Sequence, residues 1–222
     1  QKILVTIIIK ITRCMKKFNK LNSVPLMMVG VIAILSPDFV RAEEYKSGIY
    51  GSINIGGGKF SDVEQPGAAT IEFDTGFSYE GSLGYDFGKR FRADISYSNT
   101  TSGATLAGAD IDAKFGSLML NGYIDFPIED SKWEPFIGVG LGTTKADMED
   151  SCTAAANTDC TDDVFTFGIS GGVNYALNSE TDITAKITYL GFDDIEIINV
   201  GNAVEINDTE TLSATVGIKF KF

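Results

Sequence analysis

The sequence predicts an all-β chain, an eight-stranded antiparallel up-and-down transmembrane β-barrel, and three observations carry that prediction. The final segment alternates strictly: Leu212, Ala214, Val216, Ile218, Phe220 and Phe222 fall on one face, and Thr211, Ser213, Thr215, Gly217, Lys219 and Lys221 on the other. A period of two is the pattern of a strand lying between two unlike media. Similar alternating segments, separated by turn residues, recur from residue 46 onward without helical periodicity. The third observation is an apolar leader of secretory type at the N-terminus.

That leader occupies residues 1–42. Lys16, Lys17 and Lys20 precede an apolar run over 24–35, then comes a short polar stretch ending in Val40-Arg41-Ala42, ahead of Glu43 and Glu44. The run is shorter than the roughly 20 residues of a membrane-spanning helix, so the order reads as a signal peptide cleaved after Ala42. A second apolar run over 3–11 lies upstream of the basic residues, and the first methionine is Met15, the expected natural start. Residues 1–42 hold seven of the 18 basic residues and one of the 30 acidic ones, which leaves 11 against 29 in residues 43–222. A domain with a net charge of −18 repels nucleic acid, so no nucleic-acid partner is expected.

Strands are expected over residues 46–60, 69–87, 90–102, 110–126, 132–146, 162–177, 181–192 and 209–222. The connections alternate in kind. Residues 88–89, 127–131 and 178–180 are short turns, whereas 61–68, 103–109, 145–161 and 193–208 are longer, irregular and rich in Gly, Asp and Asn. An even-stranded membrane barrel has short periplasmic turns and longer extracellular loops, which places both termini in the periplasm of a bacterium with an outer membrane. Gly56, Gly57 and Gly58 end the first strand as an expected hinge at the mouth.

The two faces sort by chemistry. Phe73, Phe77, Tyr79, Leu83, Tyr85 and Phe87 lie opposite Asp74, Ser78, Glu80, Ser82 and Asp86. Trp133, Pro135, Ile137, Val139 and Leu141 repeat the apolar set, as do Phe165, Phe167, Ile169, Val173, Tyr175 and Leu177. None of these sets carries a charge, as a lipid-facing surface requires when a basic residue at mid-bilayer costs about 2–4 kcal/mol. Tyr85, Phe87, Phe91, Phe126, Trp133, Tyr175, Phe220 and Phe222 gather near the expected periplasmic rim as an aromatic girdle.

The polar face directs Glu80, Asp86, Arg92, Asp94, Asp125, Glu134, Lys186, Lys219 and Lys221 into the lumen or near its ends. Eight strands enclose a space just wide enough for side chains, so these residues are expected to form a packed network. Asp86 and Arg92 flank the turn at residues 88–90 and are the candidate cross-strand pair, contributing about 0.2–1 kcal/mol. Gly138, Gly140 and Gly142 lack the spacing and the following helix of a nucleotide loop; on a strand they make room for larger inward neighbours.

Catalytic chemistry finds little support. The chain has no histidine, which excludes a Ser-His dyad, and no CxxC redox motif. Neither metal nor cofactor is expected. Asp147, Glu149, Asp150, Asp159, Asp162 and Asp163 lack the spacing of a calcium loop. Cys14 departs with the leader, and Cys152 and Cys160, in an exported polar loop, read as a disulfide.

Residues 118–127 (LMLNGYIDFP), 133–142 (WEPFIGVGLG) and 217–222 resemble strands of the outer-membrane β-barrel family that includes opacity-type adhesins, rickettsial surface antigens and OmpA-like eight-stranded barrels. Thr215, Gly217, Phe220 and Phe222 resemble the C-terminal signal read by the bacterial barrel-assembly machinery, an expected partner during biogenesis. The resemblance implies contact with outer-membrane lipid and lipopolysaccharide, and a surface-antigen, adhesin or envelope-stabilising role through an unidentified extracellular partner. The alternatives are a narrow porin and a soluble lipocalin-like carrier whose apolar faces point inward.

Overall fold

The structure, a computed structural model, describes residues 47–61, 72–88, 90–106, 109–147, 161–193, 195–199, 202–206 and 209–222. The expected leader and both candidate disulfide cysteines, Cys152 and Cys160, lie outside the described residues.

Eight strands form one closed antiparallel barrel: β1 (Gly48–Phe60), β3 (Gly76–Asp86), β4 (Phe91–Leu106), β5 (Ala109–Asp125), β6 (Trp133–Asp147), β7 (Thr161–Ala176), β8 (Thr181–Phe192) and β11 (Glu210–Lys221). Sequence neighbours pair in turn, and β11 closes the cylinder against β1, with Tyr50 opposite Lys221 and Phe60 opposite Thr211. Closure leaves no exposed sheet edge, which is the condition for crossing a bilayer with strands. The final residue takes part, since the Phe222 N–H donates to the Ile49 carbonyl at 2.9 Å.

Two expected loops contain regular structure. The β4–β5 ladder continues to Leu106 opposite Ala109, so most of the segment expected as a loop at 103–109 is strand. Within 193–208, β9 (Ile195–Asn199) and β10 (Asn202–Ile206) pair as a hairpin. The remaining short element, β2 (Glu72–Phe73), pairs with β4.

Between β2 and β3 the register slips by one: Phe73 sits opposite Ala104, but Phe77 opposite Thr101. Three residues on one side face two on the other, which is a β-bulge. The parity that grouped Phe73 with Phe77 and Asp74 with Ser78 therefore ends at Gly76. The expected hinge at Gly56, Gly57 and Gly58 is corrected too. These glycines lie inside β1, in register with β3 on one side and β11 on the other. A Cβ at Gly56 would overlap the backbone at Ala214, so a close strand approach explains that glycine.

At the opposite end the turns are tight. Gly88 adopts φ 68°, a left-handed conformation that glycine takes without steric cost, and its N–H is held by Asp86 Oδ1 at 2.8 Å. The aromatic set gathers at this end, with Tyr85 packed on Phe87 at 5.2 Å and Trp133 on Tyr175 at 4.7 Å between ring centroids.

The barrel exterior is apolar. Ile53, Leu83 and Val139 are 68, 65 and 67% exposed, an arrangement that water would oppose and lipid favours. Ten residue steps separate Phe77 from Phe87, a rise of about 26 Å for a strand tilted as membrane barrels are, which matches a hydrocarbon core. This geometry overturns the soluble-carrier alternative, which needed these side chains to point inward.

Candidate functional site: a layered lumen

Inward-facing residues build three layers, and each arises from the same parity of two along its strands. The layer nearest the tight turns is ionic. Arg92 on β4, 6% exposed, donates through Nε to both oxygens of Asp125 on β5 at 2.9 Å. Its guanidinium lies over Tyr123 at 4.1 Å, Phe136 at 4.7 Å and Tyr50 at 5.6 Å, so the charge is held among aromatic faces. The expected partner, Asp86, is opposite Arg92 in register but caps the Gly88 N–H instead. Register brings two backbones together; which carboxylate the guanidinium reaches is decided by the side chains, and here Arg92 Nε donates to Asp125.

Glycines on neighbouring strands make the slots for those rings. A Cβ at Gly138 would enter the Tyr123 ring, one at Gly172 would meet Phe136 Cζ, and one at Gly84 would meet Tyr50 Cζ. Gly138 thus serves the inward role read from its spacing, and Gly140 does so beside Asn121, where a Cβ would overlap the side-chain amide. Across the same layer Lys219 reaches Asp182 at 3.0 Å and Glu134 at 4.0 Å, and Lys221 shares Asp182 at 3.1 Å. Asn174 donates to Glu134 at 3.2 Å and accepts from Thr184 at 2.9 Å, which satisfies groups that burial would otherwise leave costly.

The middle layer is polar. Asp94 accepts from Tyr50 at 2.9 Å and from Asn121 at 2.8 Å. Glu80 on β3 pairs with Lys186 on β8, two strands beyond its ladder neighbour β1, and also accepts from Asn54 at 3.2 Å. The ion pair therefore spans part of the bore rather than lining one wall. Of the nine charged residues expected in the lumen or near its ends, Asp86, Arg92, Asp94, Asp125, Lys186 and Lys219 are buried.

The layer nearest the hairpins is different in kind. Phe60 on β1, Phe115 on β5 and Phe192 on β8 are 1, 2 and 3% exposed, and their rings meet with centroids 4.2 and 6.1 Å apart. These strands are spread around the barrel, so the rings meet across the bore. Beneath them Ser117, Thr144 and Thr166 on three successive strands form a hydroxyl chain with 2.7 Å links. Sequence reading missed this plug, although each phenylalanine has the same parity as a polar inward residue of its strand: Asn54, Ser117 and Lys186.

Of the residues resembling an assembly signal, Thr215 and Gly217 face the lumen and Phe220 and Phe222 the exterior of β11. Gly217 has a structural reason of its own: a Cβ there would overlap the Ile53 carbonyl and Asn54.

Residues 26–222 match the family described as the outer membrane protein β-barrel domain. The chain belongs to that family. An uncharacterized protein of Haemophilus influenzae is 32% identical over 122 residues, 51% of this chain and 64% of the relative, so the match spans just under two thirds of that protein. Neisserial surface protein A superposes with a TM-score of 0.61 at 19% identity, covering 80% of this chain and 100% of its own. The outer membrane protein OprG of Pseudomonas aeruginosa does so with 0.54 at 19%, covering 82% and 99%. These two likenesses speak to the fold alone. For this outer-membrane barrel, the apolar exterior is the lipid-facing surface, and the family is one of generally non-enzymatic proteins.

Proposed function

We propose that this outer-membrane barrel is a closed-lumen surface protein with a structural or surface-interaction role, acting through its extracellular loops. The observation that carries the reading is the doubly sealed lumen. An aromatic plug lies at one end and an ionic layer packed among rings at the other, so chemistry available to a partner is at the exposed rim. The tight turns and both termini lie in the periplasm, and the longer connections at 61–68, 103–109, 145–161 and 193–208 face outward. The surplus of acidic residues in 43–222 favours partners that are basic or neutral, with lipopolysaccharide phosphates approached through divalent cations.

The test is planar-bilayer conductance of the refolded chain 43–222, together with exchange of the outward connections. A folded but silent barrel whose surface binding vanishes on loop exchange is the expected result. Reproducible ohmic steps would replace this reading with the narrow porin, and binding that survives every loop exchange would remove the loops as the contact surface.

A further inference from the structure

The lipid-facing side of β5 and β6 is uncharged from the turn end up through Leu120, Leu118, Val139 and Leu141, all exposed. At the loop end the same faces carry Lys114 on β5 and Lys145 on β6, both exposed. Lys145 stands twelve residue steps beyond Trp133, a rise of about 31 Å, which passes an apolar band about 25 Å tall and reaches the level of lipid headgroups. Between the two lysines lies Gly116, in register with Lys145 and two residues from Lys114. The Tyr97 hydroxyl occupies the space over that glycine, 2.9 Å from where a Cβ would stand. Lys114 and Lys145 are diagonal neighbours on adjacent strands, a separation that long side chains bridge. Among the described residues Tyr97 Oη and Lys145 Nζ have no hydrogen-bond or ion-pair partner, although Asp163 is opposite Lys145 in register.

We infer that Tyr97, Lys114 and Lys145 form a clamp for the phosphate of an outer-leaflet glycolipid, whose acyl chains lie on the leucine and valine shelf beneath. A phosphate presents acceptor oxygens only, and two ammonium groups and a phenol converging over one glycine supply donors only. Asp147 and Asp163, the register partners of the two lysines, offset part of the positive charge. Inorganic phosphate alone is therefore held weakly, and the apolar shelf supplies the rest of the affinity. The contact is direct and needs no bridging divalent cation. The glycolipid source rests on the outward placement of the loop end proposed above, whereas the clamp does not.

The experiment titrates the refolded chain 43–222 in detergent micelles with lipid A, dephosphorylated lipid A, inorganic phosphate and phosphatidylglycerol, all in excess EDTA, and counts retained ligand by native mass spectrometry. Lipid A should be retained, and dephosphorylated lipid A and inorganic phosphate should not. Lys145→Gln should weaken lipid A binding about tenfold and Tyr97→Phe about threefold, while Lys132→Gln at the turn end leaves it unchanged. Urea unfolding of the Lys145 variant should match the unsubstituted chain, which separates lost binding from lost fold. Equal retention of dephosphorylated lipid A, or undiminished affinity in both clamp variants, overturns the clamp. Loss of lipid A in EDTA that magnesium restores overturns direct contact in favour of cation bridging through Asp147 and Asp163. Inorganic phosphate bound as tightly as lipid A overturns the lipid assignment. Tighter retention of phosphatidylglycerol than of lipid A overturns the glycolipid source and, with it, the outward placement of the loop end.

Discussion

The lumen is crossed at its turn end by Arg92, Asp125, Lys219 and Asp182 and at its loop end by Phe60, Phe115 and Phe192, two opposite chemistries. An ionic seal is unforgiving, because removing one partner leaves the other charged in a poorly solvated space. An aromatic seal depends on shape and area, so it loses stability in proportion to the volume removed. The ionic end also has the rigid supports: three rings seated over glycines surround the guanidinium.

The sharpest way to break the comparison is Arg92→Ala. It strands Asp125 and empties the slot between the rings, for an expected loss of about 3–5 kcal/mol in denaturant unfolding. Because the pair is buried, the loss should change little between low and high salt, unlike a solvated rim pair. Unchanged unfolding would mean that the guanidinium merely solvates an end of the barrel.

Phe115→Ala tests the other seal, with an expected cost of about 3 kcal/mol, the low end for a buried phenylalanine. Removing all three plug phenylalanines should still leave a planar bilayer silent, because the ionic layer remains; conductance from that variant would show the turn end to be open. The supports come next. Gly138→Ala forces a methyl into the Tyr123 ring and should cost about 1–3 kcal/mol, with the ring displacement visible as altered tyrosine fluorescence. Smallest is Ser117→Ala at the loop end, where losing one neutral hydrogen bond in the hydroxyl chain should cost about 1 kcal/mol in the same unfolding measurement.

How legible these regions were in the sequence differs for physical reasons. Strand positions were readable because lipid on one side and a polar lumen on the other imposes a two-residue period, and β8 spans Thr181–Phe192, as that period indicates. Inward charges could be named for the same reason. Their pairing could not be: Asp86 is the register neighbour of Arg92, yet Asp125 receives its hydrogen bonds. The plug was hidden because Phe60, Phe115 and Phe192 each interrupt a largely polar inward face on a different strand. Only when β1, β5 and β8 are bent into one cylinder do three exceptions become one layer. The bulge before Gly76 was similarly masked, since one extra residue changes parity without changing composition.

The sequence by itself determined the all-β class, the eight strands, the lipid-facing side of those that alternate cleanly and the charged residues turned inward. Those properties follow from local alternation and from the cost of placing charge in hydrocarbon. Tertiary structure decided which inward groups meet. Glu80 and Lys186 are 106 residues apart, and the plug draws on strands at both ends and the middle of the chain. Barrel closure sets these contacts through strand tilt and stagger, which shift each strand's height against its neighbours, and those offsets are properties of the whole cylinder rather than of any one strand.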